Sequence, residues 1–202
     1  MTVNLSPDAI LFDMDGVLVD SLDSWWKSLN YALKNNGKEE ISREEFIDKY
    51  WGYELQKNLK ELGLDEKIGT FCNNIYSEYT DEIKFFSDTK ETLKKLSKYP
   101  KAIITNTPRD CAIQILKKYE IKKYFDVIVT SDQIEEGKPS PDMIHKACKK
   151  LGVVPKNVVL IGDTKNDVKA GRNAGCKVIG IKTDADYKIN NIKGLIDLIR
   201  IQ

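Results

Sequence analysis

KAIITNTPRDCAIQILKKYEIKKYFDVIVT, residues 101–130, opens on an apolar run, passes through an amphipathic stretch and closes on a second apolar run. The two ends, Lys101 to Thr105 and Asp126 to Thr130, are continuous rather than alternating, as strands buried on both faces are. Between them Ala112, Ile115, Leu116 and Tyr119 recur at helical spacing and share one face. Outward from this unit the same alternation repeats. AILF (Ala9 to Phe12), NVVLIG (Asn157 to Gly162) and KVIGI (Lys177 to Ile181) are further strand-like runs, and PDMIHKACKKLG carries a helix whose apolar face is Ile144, Ala147, Cys148 and Leu151. The order predicts an α/β fold, a doubly wound parallel sheet covered by helices on both sides.

One stretch breaks the alternation. Residues 18–85 hold no strand-like run, and helical patterns fit Ser21 to Lys34, Leu55 to Leu62 and Glu66 to Tyr79. SREEF places Ser42 three residues before Glu45, the spacing of a capping box. An insertion of this length exceeds an ordinary connection, so it is expected to form a small all-helical cap. The partition is then residues 1–17 and 86–202 for the α/β core and 18–85 for the insertion, with linkers near Val17 to Asp20 and Glu82 to Phe86.

The 202 residues suit one domain, or one domain with a small insertion. Lys plus Arg number 32 and Asp plus Glu 31, a formal charge of +1, which gives no global attraction to nucleic acid or an anionic membrane. Cys72, Cys111, Cys148 and Cys176 lie far apart without a C-x-x-C pair, which argues against a zinc site or a disulfide framework. The one histidine, His145, points away from its helix's apolar face and reads as a surface residue. No export signal or membrane-length apolar run is visible, so a cytoplasmic location is expected and no membrane partner.

In an open parallel sheet, ligands bind beyond the carboxyl ends of the strands. There the first strand runs into Asp13, Met14, Asp15 and Gly16, another ends on Thr105 and Asn106, and a third on Gly162, Asp163 and Thr164, with Asp167 one turn later. Lys138 lies in EGKPSPD, where Ser140 can cap and Pro141 can open the next helix. Clustered carboxylates without histidine or cysteine call for a hard cation, and Mg²⁺ suits oxygen ligands that leave room for water and a phosphate. Lys138 and the Thr105 hydroxyl could hold the remaining phosphate oxygens. The residues read as magnesium-assisted phosphoryl chemistry.

ILFDMDGVLVDS, AIITNT, GKPSPD and IGDTKNDVKAG resemble, in order, the four motifs of the haloacid dehalogenase superfamily, in the phosphatase branch with a helical cap after the first strand. The resemblance spans nearly the whole chain. It implies a phosphoglycolate phosphatase-like hydrolase that acts on small phosphorylated metabolites. By it Asp13 is the nucleophile and Asp15 the general acid and base, while Thr105 and Lys138, with Asn106 sharing, bind the phosphate. Asp13, Asp15 through its backbone carbonyl, and Asp163 are the implied magnesium ligands, with Asp167 supporting the site directly or through water. A plainer reading of Asp163 and Asp167 makes them a helix N-cap and a solvated residue.

In DKYWGYEL, Trp51, Gly52 and Tyr53 resemble a specificity loop presented to the active site, and they read equally as aromatics of a small helical core. The first motif carries Val17 as in the β-phosphoglucomutases, which makes a phosphosugar mutase the nearest rival. The mutase histidine is matched here by Trp25, which cannot shuttle a proton. Trp25 and Trp26 read as core or interface residues. Rivals of another class are a receiver-like signalling domain, disfavoured by the large insertion, and a catalytically silent binding protein, disfavoured because every motif residue is present. Oligomeric state is not legible.

Overall fold

The computed structural model describes residues 4–201. Its strands are β1 (Ala9–Phe12), β2 (Val19–Asp20), β3 (Lys84–Phe85), β4 (Lys101–Thr105), β5 (Val127–Thr130), β6 (Val158–Gly162), β7 (Lys177–Ile181) and β8 (Tyr187–Ile189). The helices are α1 (Leu22–Asn35), α2 (Arg43–Glu45), α3 (Leu55–Glu61), α4 (Ile68–Glu78), α5 (Thr89–Lys95), α6 (Arg109–Lys118), α7 (Asp142–Leu151), α8 (Lys165–Ala174) and α9 (Leu195–Leu198).

Six strands form one parallel sheet in the order β5-β4-β1-β6-β7-β8. Alternate residues of each strand face opposite layers. Ile10, Phe12, Ile103 and Ile161 face a core with Leu93, Ala112, Ile115, Leu116 and Leu195 of α5, α6 and α9. Ala9, Leu11, Ile104 and Leu160 face Met143, Ile144, Ala147 and Val168 of α7 and α8. Both faces are covered, as the continuous apolar runs require. β1 lies between β4 and β6, so the chain leaves it toward one side of the sheet and later returns on the other. That reversal opens a crevice above the end of β1.

Between β2 and β3 the chain is helical. Leu29, Ala32 and Leu33 of α1, Phe46, Tyr50, Leu59 of α3 and Cys72 of α4 form a core of their own. The tie to the sheet layer runs through Trp25, stacked on Tyr76 with ring centroids 3.9 Å apart, and Tyr76 belongs to the main core.

Several features depart from the sequence reading. β2 and β3 pair antiparallel at the two ends of the insertion, where no strand was expected, because two-residue strands carry no periodicity. β8 likewise adds an edge strand from only three residues. Ser42 accepts a hydrogen bond from the Glu45 amide at 3.1 Å, yet α2 ends at Glu45 and Phe46–Tyr50 widen into a π-helical turn. Pro141 occupies the N-cap position of α7 instead of opening it, and the Ser140 hydroxyl accepts only a long bond, 3.4 Å, from the Asp142 amide. The cysteines are free and buried, and His145 is exposed. No helix among the described residues is long and apolar enough to cross a membrane.

Candidate active site

The crevice gathers its polar groups from strand ends. The Asp13 amide bonds to Ile161 O at 2.9 Å, which carries the β1–β6 ladder up to the rim. The chain then turns sharply at Gly16, whose φ is +78°. A Cβ there would stand 2.0 Å from Asp163 Oδ2, so only glycine lets this turn pass the neighbouring carboxylate.

Lys138 is the electrostatic centre. It is 3% exposed, and its Nζ lies 2.7 Å from both Asp13 Oδ1 and Asp167 Oδ1. Burial pulls the ammonium's pKa down, but Asp13 and Asp167 outweigh it and hold Lys138 charged above the ordinary lysine value. Asp13 Oδ1 also accepts the Met14 amide at 2.8 Å. Asp167 is fully buried, not solvated, and acts as the third residue of a capping box on α8. Its Oδ2 accepts the Thr164 amide at 3.0 Å and the Thr164 hydroxyl at 2.6 Å. The N-cap is thus Thr164 rather than Asp163.

Carboxylate oxygens of Asp13, Asp163 and Asp167 lie within 4.8 Å of one another. One ammonium cannot balance this charge. Burial, reinforced by Asp167, pushes Asp163 up to about 7 against the pull of Lys138. Burial likewise raises Asp13 well above the usual carboxylate range, with Lys138 opposing. Asp163 Oδ1 is buried without a hydrogen-bond partner. An orphaned carboxylate oxygen beside two further carboxylates fits a hard divalent cation held by oxygen.

Asp15 stands apart from this trio. Its Oδ2 accepts from the Thr107 hydroxyl at 2.7 Å and the Thr105 hydroxyl at 3.1 Å, and its Oδ1 from the Ser21 hydroxyl. Asn106 uses its side chain as a strut: Oδ1 accepts the Lys138 amide at 3.0 Å, and Nδ2 donates to Gly52 O at 2.9 Å.

The helical insertion closes over these groups. Asn166 Nδ2 also donates to Gly52 O, at 3.2 Å, so two core asparagines clasp one carbonyl. Trp51 Nε1 reaches Asp163 Oδ2 at 3.5 Å. Glu54 lies against Gly137 and accepts its backbone N–H, while burial raises the Glu54 pKa. Gly52 has φ +80°, and a Cβ on it would meet Thr164 Cγ2 at 2.9 Å. The crevice between core and insertion is lined by Asp13, Asp15 and Lys138 on the core side and by Trp25, Trp51 and Tyr53 among others on the insertion side.

Residues 10–181 match the family model described as haloacid dehalogenase-like hydrolase. The chain belongs to that family. It is 33% identical to a phosphoglycolate phosphatase of Aquifex aeolicus over 83% of this chain and 81% of that one. It is 31% identical to the pyrophosphatase PpaX of Bacillus velezensis, over 86% and 82% of the two chains. The crystal structure of β-phosphoglucomutase from Clostridium difficile shares the fold, with a TM-score of 0.84 at 21% identity, covering 94% of this chain and 93% of that one. The enzyme class read from the sequence, a phosphatase-type hydrolase, is the class these curated relatives are named for.

In this haloacid dehalogenase-like hydrolase, Asp13, Asp15, Thr105, Asn106 and Lys138 line one cavity with Trp51, Gly52 and Tyr53. Asp163 and Asp167 lie beside it, joined to Asp13 in the carboxylate trio. Trp25, expected in a core or interface, also lines the cavity. Sequence reasoning missed Thr107, Ser21, Asn166 and Asn58. Thr107 could have been found, because it follows Thr105 at i+2 where a strand end keeps both on one side. The other three carry no local signal.

Proposed function

We propose that the chain is a Mg²⁺-dependent phosphatase that hydrolyses small phosphate monoesters, with Asp13 as the nucleophile. The observation that carries this reading is the buried Lys138–Asp13 ion pair beside the unpartnered Asp163 oxygen, beneath the aromatic residues of the insertion. Asp13 and Asp163 would hold the cation, with Asp167 behind them, and Asp15 would contribute its backbone carbonyl. Bound there, Mg²⁺ supplies positive charge that offsets repulsion between an anionic nucleophile and a phosphate.

The protein's own groups divide the remaining work. Lys138 and the Met14 amide occupy Asp13 Oδ1, which supports Oδ2 as the oxygen that would attack phosphorus. An Oδ2–P bond forms as the bond from phosphorus to the leaving oxygen breaks, and Asp15 gives that oxygen its proton. In the second half, water adds to phosphorus, the Asp13–P bond breaks and Asp15 takes the water's proton. Asp15 must first exchange the Thr105 and Thr107 hydroxyls for the substrate, which frees those hydroxyls for phosphate oxygens. Asn106 serves the phosphate site through its hold on the Lys138 backbone. Trp51, Gly52 and Tyr53 act as the roof over the leaving group. Hydrolysis is favoured over mutase chemistry because Trp25 is stacked on Tyr76 and offers no proton carrier.

Phosphate release from p-nitrophenyl phosphate, with Mg²⁺ and with EDTA, tests the reading. Activity is expected only with Mg²⁺ and is expected to vanish in Asp13→Asn. A well-folded Asp13→Asn enzyme that keeps more than about 5% of the activity would remove Asp13 from the nucleophile's place, since an amide is a poor nucleophile.

A further inference from the structure

Behind Asp15 stand two buried residues of the insertion that the chemistry above does not use. Ser21 is the N-cap residue of α1 and is fully buried, yet its side chain makes no bond to an amide of that helix, the ordinary use of a serine there. Its hydroxyl donates to Asp15 Oδ1 instead. Tyr76 of α4 is also fully buried, and its ring stacks on Trp25 with centroids 3.9 Å apart. The phenol oxygen closes no hydrogen bond of ordinary geometry. A buried hydroxyl in that state is costly unless it has a neighbour to bond.

The groups that act on this oxygen show where it lies. Burial raises the Tyr76 pKa well above the usual phenol range and the Asp15 carboxylate pushes the same way, while the Ser21 and Trp25 side chains oppose them as hydrogen-bonding neighbours. Cys111 acts on it as well, but its thiol lies against Asn73 O, at 3.8 Å, and Ser77 Oγ, at 3.9 Å. Tyr76 is therefore a protonated donor with one hydrogen to place. The indole N–H of Trp25 can only donate. Ser21 Oγ has given its own hydrogen to Asp15 and keeps its lone pairs, so it is the acceptor. The hydrogens of Trp25, Tyr76 and Ser21 then all run one way, toward Asp15 Oδ1.

We propose that Tyr76 is a positioning residue for Asp15, acting through Ser21: the chain of hydroxyls anchors Oδ1 and leaves Oδ2 as the oxygen that gives the leaving group its proton and takes one back from water. The proposal rests on the phosphatase reading above and adds to it a group from the insertion. Oδ2 can exchange the Thr105 and Thr107 hydroxyls for substrate because the other oxygen stays held. Ser21 opens α1 and Tyr76 lies on α4, so the alignment of Asp15 depends on how these two helices of the insertion pack.

The test compares phenyl phosphate with p-nitrophenyl phosphate, esters of similar shape, in the wild type, Tyr76→Phe, Ser21→Ala and the double variant, all with Mg²⁺. Phenolate needs a proton to leave far more than p-nitrophenolate does, so a displaced general acid slows the first ester more. Tyr76→Phe removes one oxygen and keeps the ring on Trp25. Its ratio of kcat/KM, phenyl over p-nitrophenyl phosphate, is expected to fall about three- to tenfold, and that of Ser21→Ala about tenfold or more. Because Tyr76 acts through Ser21, the double variant should match Ser21→Ala rather than multiply the two losses. Equal losses on both esters with a lowered Tm would make Tyr76 structural only and overturn the proposal. An unchanged ratio in either single variant, or multiplied losses in the double one, would overturn it too. In each of these cases phosphate release by the wild type from both esters leaves the phosphatase reading standing. No release from either ester by the wild type would take down that reading and the proposal with it.

Discussion

Asp163 is the carboxylate of the trio with which Lys138 forms no ion pair. In the folded, metal-free chain its pKa stands at about 7 through burial and Asp167, above the unfolded value of about 3.9. Such a group contributes stability that is complete below the unfolded value and is lost as pH rises through the folded one. The Tm in EDTA is therefore expected to fall between about pH 4 and pH 8, and Mg²⁺ should restore more of it at pH 8 than at pH 5. Melting curves at the two pH values with and without Mg²⁺ check this, and an equal Mg²⁺ effect at both would contradict it. Lys138 gives the complementary case. Lys138→Met leaves Asp13 and Asp167 buried with no cation, so a loss of about 3–5 kcal/mol at pH 8 is expected together with loss of activity. The loss should shrink at lower pH, where Asp13, whose pKa burial raises, can take a proton instead.

The turn around Gly52 shows how an element, rather than a residue, closes the site. Gly52 and Gly152 both have left-handed φ, +80° and +70°, but a Cβ on Gly52 would press on Thr164 whereas Gly152 has nothing within 4 Å. Each change to alanine costs about 1–2 kcal/mol of backbone strain. Gly52→Ala should also displace the carbonyl that Asn106 and Asn166 clasp, and with it the Trp51 ring. Its kcat/KM is expected to drop about tenfold or more, because small misplacements near the reacting groups are expensive. Gly152→Ala, at the C-cap of α7, should lower Tm without changing kcat/KM. Steady-state kinetics on both variants, each beside its melting curve, separate the two effects. Much of this element was readable in advance: α1, α3 and α4 begin and end within about two residues of the periodicity's limits, inside the usual scatter of helix ends. The π-helical turn at Phe46–Tyr50 was not, since its apolar spacing fits an ordinary helix.

At the scale of the whole molecule, the insertion lies over the strand ends and roofs the crevice above Asp13. A phosphorylated side chain on a folded protein cannot reach Asp13 without opening that roof. Phosphate release from a phosphoprotein such as phosphorylated casein is accordingly expected to be at least about 100-fold slower than from p-nitrophenyl phosphate at equal phosphate concentration. Comparable rates would show that the roof does not gate the site. The sequence by itself determined the sheet and the ionic floor. Strands covered on both faces must be continuous apolar runs, and the residues that end them, Asp13, Thr105 and Asp163, fall on one rim by the geometry of a parallel sheet. Asp167 follows one helical turn later for the same local reason. Only the tertiary structure decided which groups meet across the crevice. Gly52 O is bonded by Asn106, 54 positions away, and by Asn166, 114 away, and the hydroxyl of Thr107 reaches Asp15 across 92. No local period encodes such pairs. They arise when two separately packed cores, each specified by its own apolar pattern, are brought face to face by the β2–β3 ribbon and the Trp25–Tyr76 stack, and their burial then requires every donor near the floor to find an acceptor.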